Sequence, residues 1–185
     1  MVKIINKRLS NIIAKRNILK GGNHAGLPGG LTFIPLHIIN GIIEDASENN
    51  RELWILFQDL SKAYDRVNLH MLKLAMSRIK FPVALQNILI NLFLRRSNRV
   101  IGHYGLTDPY NVLIRIDQGE VISPLLWCIY YDSLLCEIAQ QKDLSYTISH
   151  SWKTNINDSV SKCVTATITS QADMDDTTWI NHQQQ

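Results

Sequence analysis

Two acidic signatures stand far apart in the chain: Phe57-Gln58-Asp59-Leu60-Ser61-Lys62-Ala63-Tyr64-Asp65 near the middle and Met174-Asp175-Asp176 near the end, with Gln118-Gly119-Glu120-Val121-Ile122-Ser123-Pro124 between them. Carboxylates brought together from separate segments repel one another, and the repulsion is relieved by divalent cations. Phosphoryl transfer has the matching need. Negative charge develops on attacking, leaving and non-bridging oxygens, and two metal ions roughly 3.5–4 Å apart stabilise it from both sides. Magnesium, a hard cation, takes oxygen ligands and is held by one or two carboxylates plus substrate phosphates. Taken singly, an Asp at a strand end is a turn or cap residue, and Asp-Asp a solvated turn. Their order along one chain points to chemistry.

Elements able to position these residues are legible in the periodicity. Ile5, Leu9, Ile12 and Ile13 predict a helix over about 3–15, ended by Gly21-Gly22, and Leu36, Ile39, Ile42 and Ile43 predict a second over 35–46. Leu53-Trp54-Ile55-Leu56-Phe57 is a continuous apolar run, read as a central strand buried on both faces with Asp59 at its end. Helices over about 69–79 and 83–95 follow, separated by Pro82, and then strands over 99–104 and 110–116. Ser123-Pro124 starts a helix running to about Ala139 that is apolar on most sides and hence buried. From Ser145 to Ser170 the Thr, Ser, Val and Ile content predicts strands, with Asp175-Asp176 in a turn between two strands. The fold class expected is α+β, with a small, mostly antiparallel sheet and packed helices.

Composition bounds the function. At 185 residues, 45% of them hydrophobic, the chain suits one domain with a substantial core. The net charge is only +3, yet Lys3, Lys7, Arg8, Lys15, Arg16 and Lys20 fall in the first twenty residues with no acid among them. That segment is either a phosphate-contacting face or the solvated side of an amphipathic helix. Cys128, Cys136 and Cys163 fit neither a disulfide framework nor a spaced zinc site, and the six histidines show no ligand spacing. The start lacks a secretory core and no stretch is long and apolar enough to span a bilayer, so an intracellular chain of nucleus or cytoplasm, without a membrane, is expected. Asn157-Asp158-Ser159 then matches the glycosylation pattern by coincidence. Gly21 and Gly26 have P-loop spacing, but Leu27-Pro28 stand where Lys-Ser/Thr is required, so that motif is rejected. The freedom of 21–30 suits a tight loop approaching another backbone or a nucleic acid.

The motifs together resemble the reverse transcriptase domain of non-LTR (LINE-type) retrotransposons. Asp59-Leu60-Ser61-Lys62-Ala63-Tyr64-Asp65 resembles the first catalytic motif and Gln118-Gly119 through Ser123-Pro124-Leu125-Leu126-Trp127 the second. Met174-Asp175-Asp176 resembles the aromatic-x-Asp-Asp motif, and Lys7-Arg8-Leu9 and Asn23-His24-Ala25-Gly26-Leu27-Pro28-Gly29-Gly30 the early finger segments. The resemblance implies a partial right-hand polymerase, with fingers over 1–50 and palm over 51–185, truncated relative to the family's triphosphate-binding fingers, primer grip and thumb. It implies that Asp59 and Asp175 hold Mg²⁺ or Mn²⁺, with Asp176 as the neighbouring carboxylate of the catalytic set. Tyr64 would contact the sugar of the incoming nucleotide, and Gln118 and Gly119 would lie against the nucleotide and templating pair. Lys3, Lys7, Arg8, Lys15 and Arg16 would meet nucleic acid. Partners implied for the intact parent of this fragment are an RNA template, a DNA primer and deoxynucleoside triphosphates, with two-metal nucleotidyl transfer as the parent's reaction. The alternatives are a catalytically dead remnant that at most binds nucleic acid, and another palm polymerase, from which the Ser61-Lys62-Ala63-Tyr64 context turns the reading toward the LINE type. Lys62 and Asp65 are read as surface or structurally paired residues. Two positions depart from the pattern: Asp173 replaces an aromatic residue, and Arg115 stands where glycine is common, so a glycine-favoured backbone conformation is expected there.

Overall fold

The computed structural model describes residues 1–23, 25–112, 115–141, 145–152 and 162–181; His24, His182 and Asn157-Asp158-Ser159 lie outside them. The fold is α+β. In chain order its elements are α1 (Val2–Lys15), α2 (Phe33–Glu48), β1 (Trp54–Gln58), a 3-10 turn (Tyr64–Arg66), α3 (Leu69–Arg78), α4 (Val83–Asn91), β2 (Arg96–Asn98), β3 (Ile101–Gly102), β4 (Gly105–Leu106), β5 (Tyr110–Val112), α5 (Ser123–Ile138), β6 (Tyr146–Trp152), β7 (Lys162–Ile168), β8 (Ser170–Asp173) and β9 (Asp176–Asn181). They fall into two compact units, the first of residues 1–19, 26–28 and 60–133, the second of 20–25, 29–59 and 134–185.

Helix ends explain most boundaries. α1 stops at Lys15, where the periodicity ends it, but the closure is made by Asn17 rather than by Gly21-Gly22: Asn17 adopts φ 45°, with its N–H donating to the Ala14 carbonyl and Ile18 N–H to that of Ile13. This paired closure satisfies carbonyls that have no partner inside the helix, and Asn tolerates the left-handed conformation it needs. Asn50 (φ 48°) closes α2 and Lys80 (φ 58°) closes α3 in the same way, with Arg51 N–H on Ala46 and Phe81 N–H on Met76. At the other end of α3, Asn68 accepts from the N–H groups of His70 (2.9 Å) and Met71 (3.1 Å), a side-chain N-cap.

In the first unit α3 buries Leu69, Leu72, Ala75 and Met76, one face at helical spacing, and α5 buries residues almost all round, including Leu125, Leu126, Cys128 and Ile129. Each such aliphatic side chain contributes about 1.5–3 kcal/mol relative to exposure. Ser123 at the start of α5 donates its hydroxyl to the Asp117 carbonyl at 2.6 Å. Gly26, at φ +74°, packs on this helix so closely that a Cβ there would stand 2.8 Å from Cys128 Sγ and 3.3 Å from the Pro124 carbonyl oxygen. Any side chain at position 26 would push the Cys128 sulfur aside and crowd the Pro124 carbonyl. The expected two-stranded region is shorter and more broken than the sequence predicts: β2 pairs with β5 and β3 with β4, each antiparallel over two or three residues.

In the second unit β1, β9 and β8 form an antiparallel sheet in that order, with Trp54 opposite Asn181 through to Gln58 opposite Thr177, and Ser170 opposite Trp179 through to Asp173 opposite Asp176. β6 and β7 form a separate hairpin, as the composition of that stretch predicts. Ile39, Ile42 and Ala46 of α2 pack with Tyr146 and Ile180, joined by Ile55 and Ile148. β1 corrects an expectation. It is an edge strand, not a central one, and it is buried on at most one face: Ile55 turns to α2, while Trp54, Leu56 and Phe57 are 60%, 62% and 71% exposed. Apolar composition records what a strand can bury; how much it does bury depends on the layers placed against it.

Candidate catalytic site

The β1–β9–β8 sheet gathers the carboxylates. Gln58 is the last paired residue of β1, opposite Thr177, so the antiparallel register carried one step further sets Asp59 across from Asp176. Asp176 in turn pairs with Asp173 across the β8–β9 hairpin. Opposed residues in such a ladder lie about 4.5–5.5 Å apart at Cα with side chains on one face. Met174 and Asp175 form the two-residue turn. The sequence placed both aspartates in that turn; Asp176 instead opens β9. Met174 takes φ 57°, the conformation usually supplied by glycine at the first central position of a tight hairpin turn, and this backbone lifts Asp175 off the ladder at the sheet's end.

The electrostatics follow from this crowding. Burial, and then the charges of Asp175, Asp59 and Asp173, push the Asp176 carboxyl above its ordinary value of 3.8. Among the described residues none of these four acids is in an ion pair. Nor is any group of three or more His, Cys, Asp or Glu among the described residues arranged to enclose a metal ion. Magnesium does not need such a cage, because one or two carboxylates suffice when substrate phosphates complete its shell.

Within the first unit, Tyr64 opens the 3-10 turn after the Asp59 motif, half-buried, with its ring 5.9 Å from that of Trp127. Its carbonyl accepts the Ile116 N–H at 3.2 Å, which ties the turn to the segment leading to Gln118. Gln118 and Gly119 are exposed and line a polar cavity with Asp65, Asn98, Arg115, Asp117 and Glu120; a Cβ at Gly119 would meet open space. Asp65 pairs with Arg115 at 3.3 Å, the structural pairing the sequence allowed for. Arg115 takes φ 108°, a conformation that favours glycine, in line with the expectation for this position. Arg96 pairs with Asp117 and also donates to the Arg115 carbonyl at 2.9 Å. Burial and then the charge of Arg115 lower the proton affinity of Arg96. Lys3, Lys7, Arg8 and Lys15 of α1 and Arg16 at its C-cap are all exposed, while Ser10 and Ile13 face the interior.

The structure thus brings Asp59, Asp173, Asp175 and Asp176 together in the second unit and places Tyr64, Gln118, Gly119 and the five basic residues in the first. Sequence reasoning gave no individual role to Asn23. Its signals were membership of a glycine-rich segment and a place at the start of the motif that resembles an early finger segment.

The chain belongs to the reverse transcriptase (RNA-dependent DNA polymerase) family: the sequence model of that family matches residues 1–178. Members generally act on nucleotides and a nucleic-acid template with divalent metal ions. A search of curated proteins finds no match. No helix among the described residues is long and apolar enough to cross a membrane.

Proposed function

We propose that this chain carries the nucleotidyl-transfer site of a retrotransposon reverse transcriptase of the LINE type, with residues 1–50 on the fingers side and 51–185 on the palm side. The observation that supports it is the register that sets Asp59 opposite Asp176, beside the turn residue Asp175. Asp59 and Asp175 would hold Mg²⁺ or Mn²⁺, and the donor set suits such ions because its oxygens are anionic and otherwise unneutralised. Metal ions bound there supply charge neutralisation for the attacking and leaving oxygens of the transfer. Asp176 adds negative potential next to the pair. Tyr64 is assigned to the sugar of the incoming deoxynucleoside triphosphate, and Gln118 and Gly119 to its base and the templating pair. The exposed cations of α1 would contact nucleic-acid phosphates.

Extension of a DNA primer on an RNA template, with Mg²⁺ or Mn²⁺, tests this directly. The expected result is deoxynucleotide incorporation that falls to background in Asp59→Ala. The exposed basic face of α1 supports a second reading, a nucleic-acid-binding protein without catalysis. Extension no greater than that of Asp59→Ala, together with RNA binding that weakens steeply with salt, would replace the first reading by the second.

A further inference from the structure

The start of the glycine-rich segment meets the edge of β8. Gly22, at φ +75°, accepts the Ala172 N–H at 3.3 Å, and Asn23 forms a single parallel bridge with Ala172. Past Ala172 the contact with the hairpin is made by the Asn23 side chain. Its Nδ2 donates to the Met174 carbonyl at 2.9 Å, and its Oδ1 accepts the Met174 N–H at 3.3 Å. The same Oδ1 accepts the Ala25 N–H at 3.1 Å, which locks the amide's orientation: two donors converge on its oxygen and one acceptor faces its nitrogen. The side-chain amide therefore stands in for a strand's peptide group and holds both polar groups of the one residue whose positive φ forms the acidic turn.

We infer that Asn23 is a positioning residue for the acidic turn, clamping the Met174 backbone in its strained conformation so that Asp175 is presented next to Asp59 and Asp176. The inference rests on the metal-binding reading of those carboxylates. Asn suits the task because Asp could not donate to the Met174 carbonyl, and Ser, whose hydroxyl can still serve the Ala25 N–H, is too short to reach position 174. Without the clamp, a non-glycine residue at φ 57° has less to keep it there, and the turn relaxes toward ordinary φ.

The test is Asn23→Ser in the full chain, with Asn23→Ala as a second variant should the first fail to fold. Two measurements are made: amide hydrogen exchange at single residues by NMR, and Mn²⁺ affinity by titration. The expected exchange result is Met174 accelerated roughly tenfold, the size of a lost hydrogen bond, with Ala172, held by the Gly22 main chain, unchanged. Mn²⁺ affinity is expected to weaken about fivefold to tenfold. Equal acceleration at Ala172 and Met174 would identify a plain structural anchor and overturn the assignment, as would unchanged exchange at Met174. Accelerated Met174 with unaltered Mn²⁺ affinity would show a clamp that positions no ligand, which also overturns it. If the unsubstituted chain binds Mn²⁺ no better than Asp59→Asn, the metal reading itself has failed and the inference falls with it; the exchange pattern tells this case from the others.

Discussion

Around the β8–β9 hairpin, Asp59, Asp173, Asp175 and Asp176 crowd one end of a sheet with no ion pair among the described residues, and Asp176 is pushed up by its neighbours. Around Arg115 the aspartates are instead neutralised from within: Asp65 and Asp117 are both held by arginines, and Arg96 spans from Asp117 to the Arg115 carbonyl. Both regions also hold a non-glycine residue at positive φ, Met174 and Arg115. The difference lies in what completes them. The Arg115 region meets its aspartates with arginines of its own, while the hairpin leaves anionic oxygens to be satisfied by something added. Crowded acids alone do not mark a catalytic site; crowded acids that the fold leaves unneutralised are the stronger signal.

Opposite responses to neutralising one carboxylate would test that contrast most strongly. Asp117→Asn leaves Arg96, only 15% exposed, without its carboxylate and should cost about 2 kcal/mol in urea denaturation at pH 7. Asp176→Asn in metal-free buffer should shift stability the other way, a small gain, because it removes repulsion rather than attraction. If both substitutions destabilise alike, the hairpin acids are compensated after all and the comparison breaks.

A compensated acid within the hairpin's own unit sharpens the point. Asp45 accepts from Arg51 at 3.1 Å and from the Tyr146 hydroxyl at 2.5 Å, and the Arg51 guanidinium lies 4.4 Å from the Tyr146 ring centroid. Burial first, and then the hydrogen bond to Asp45, push the Tyr146 phenol up to about 12 from 10.0. The folded chain thus keeps this proton through a range in which the unfolded chain gives it up. Stability should be insensitive to this group below pH 10 and fall by roughly 2 kcal/mol as pH rises to 12, a slope absent from Tyr146→Phe. Thermal melts across that range check it, with identical slopes in the two proteins as the contrary result.

The smallest effect concerns the backbone at Arg115. Arg115→Gly and Arg115→Ala lose the same ion pairs, so their difference isolates the conformation at φ 108°. Glycine should be the more stable of the two by about 1 kcal/mol, the reverse of the order at an ordinary position. Alanine equal to or above glycine would remove strain from the account of this site.

Much of this was legible beforehand. The helices α2, α3 and α5, the acidic hairpin and the glycine-favoured conformation at Arg115 follow from local signals: apolar spacing, a Ser-Pro start and the order of motifs. The helix ends at Asn17, Asn50 and Lys80 were less legible, because left-handed closure by a non-glycine residue leaves little compositional trace. The sequence by itself determined which residues carry charge, which segments fold locally and which family the chain resembles, since these depend on residue type and near neighbours. Only the tertiary structure decided that β1 lies at a sheet edge, that Asp176 rather than Asp175 stands on the ladder, one step past the Gln58–Thr177 pair that precedes Asp59, and that Asn23 reaches across 151 positions to hold the turn. Those are contacts between distant segments, fixed by strand pairing and register, which no local pattern of residues encodes.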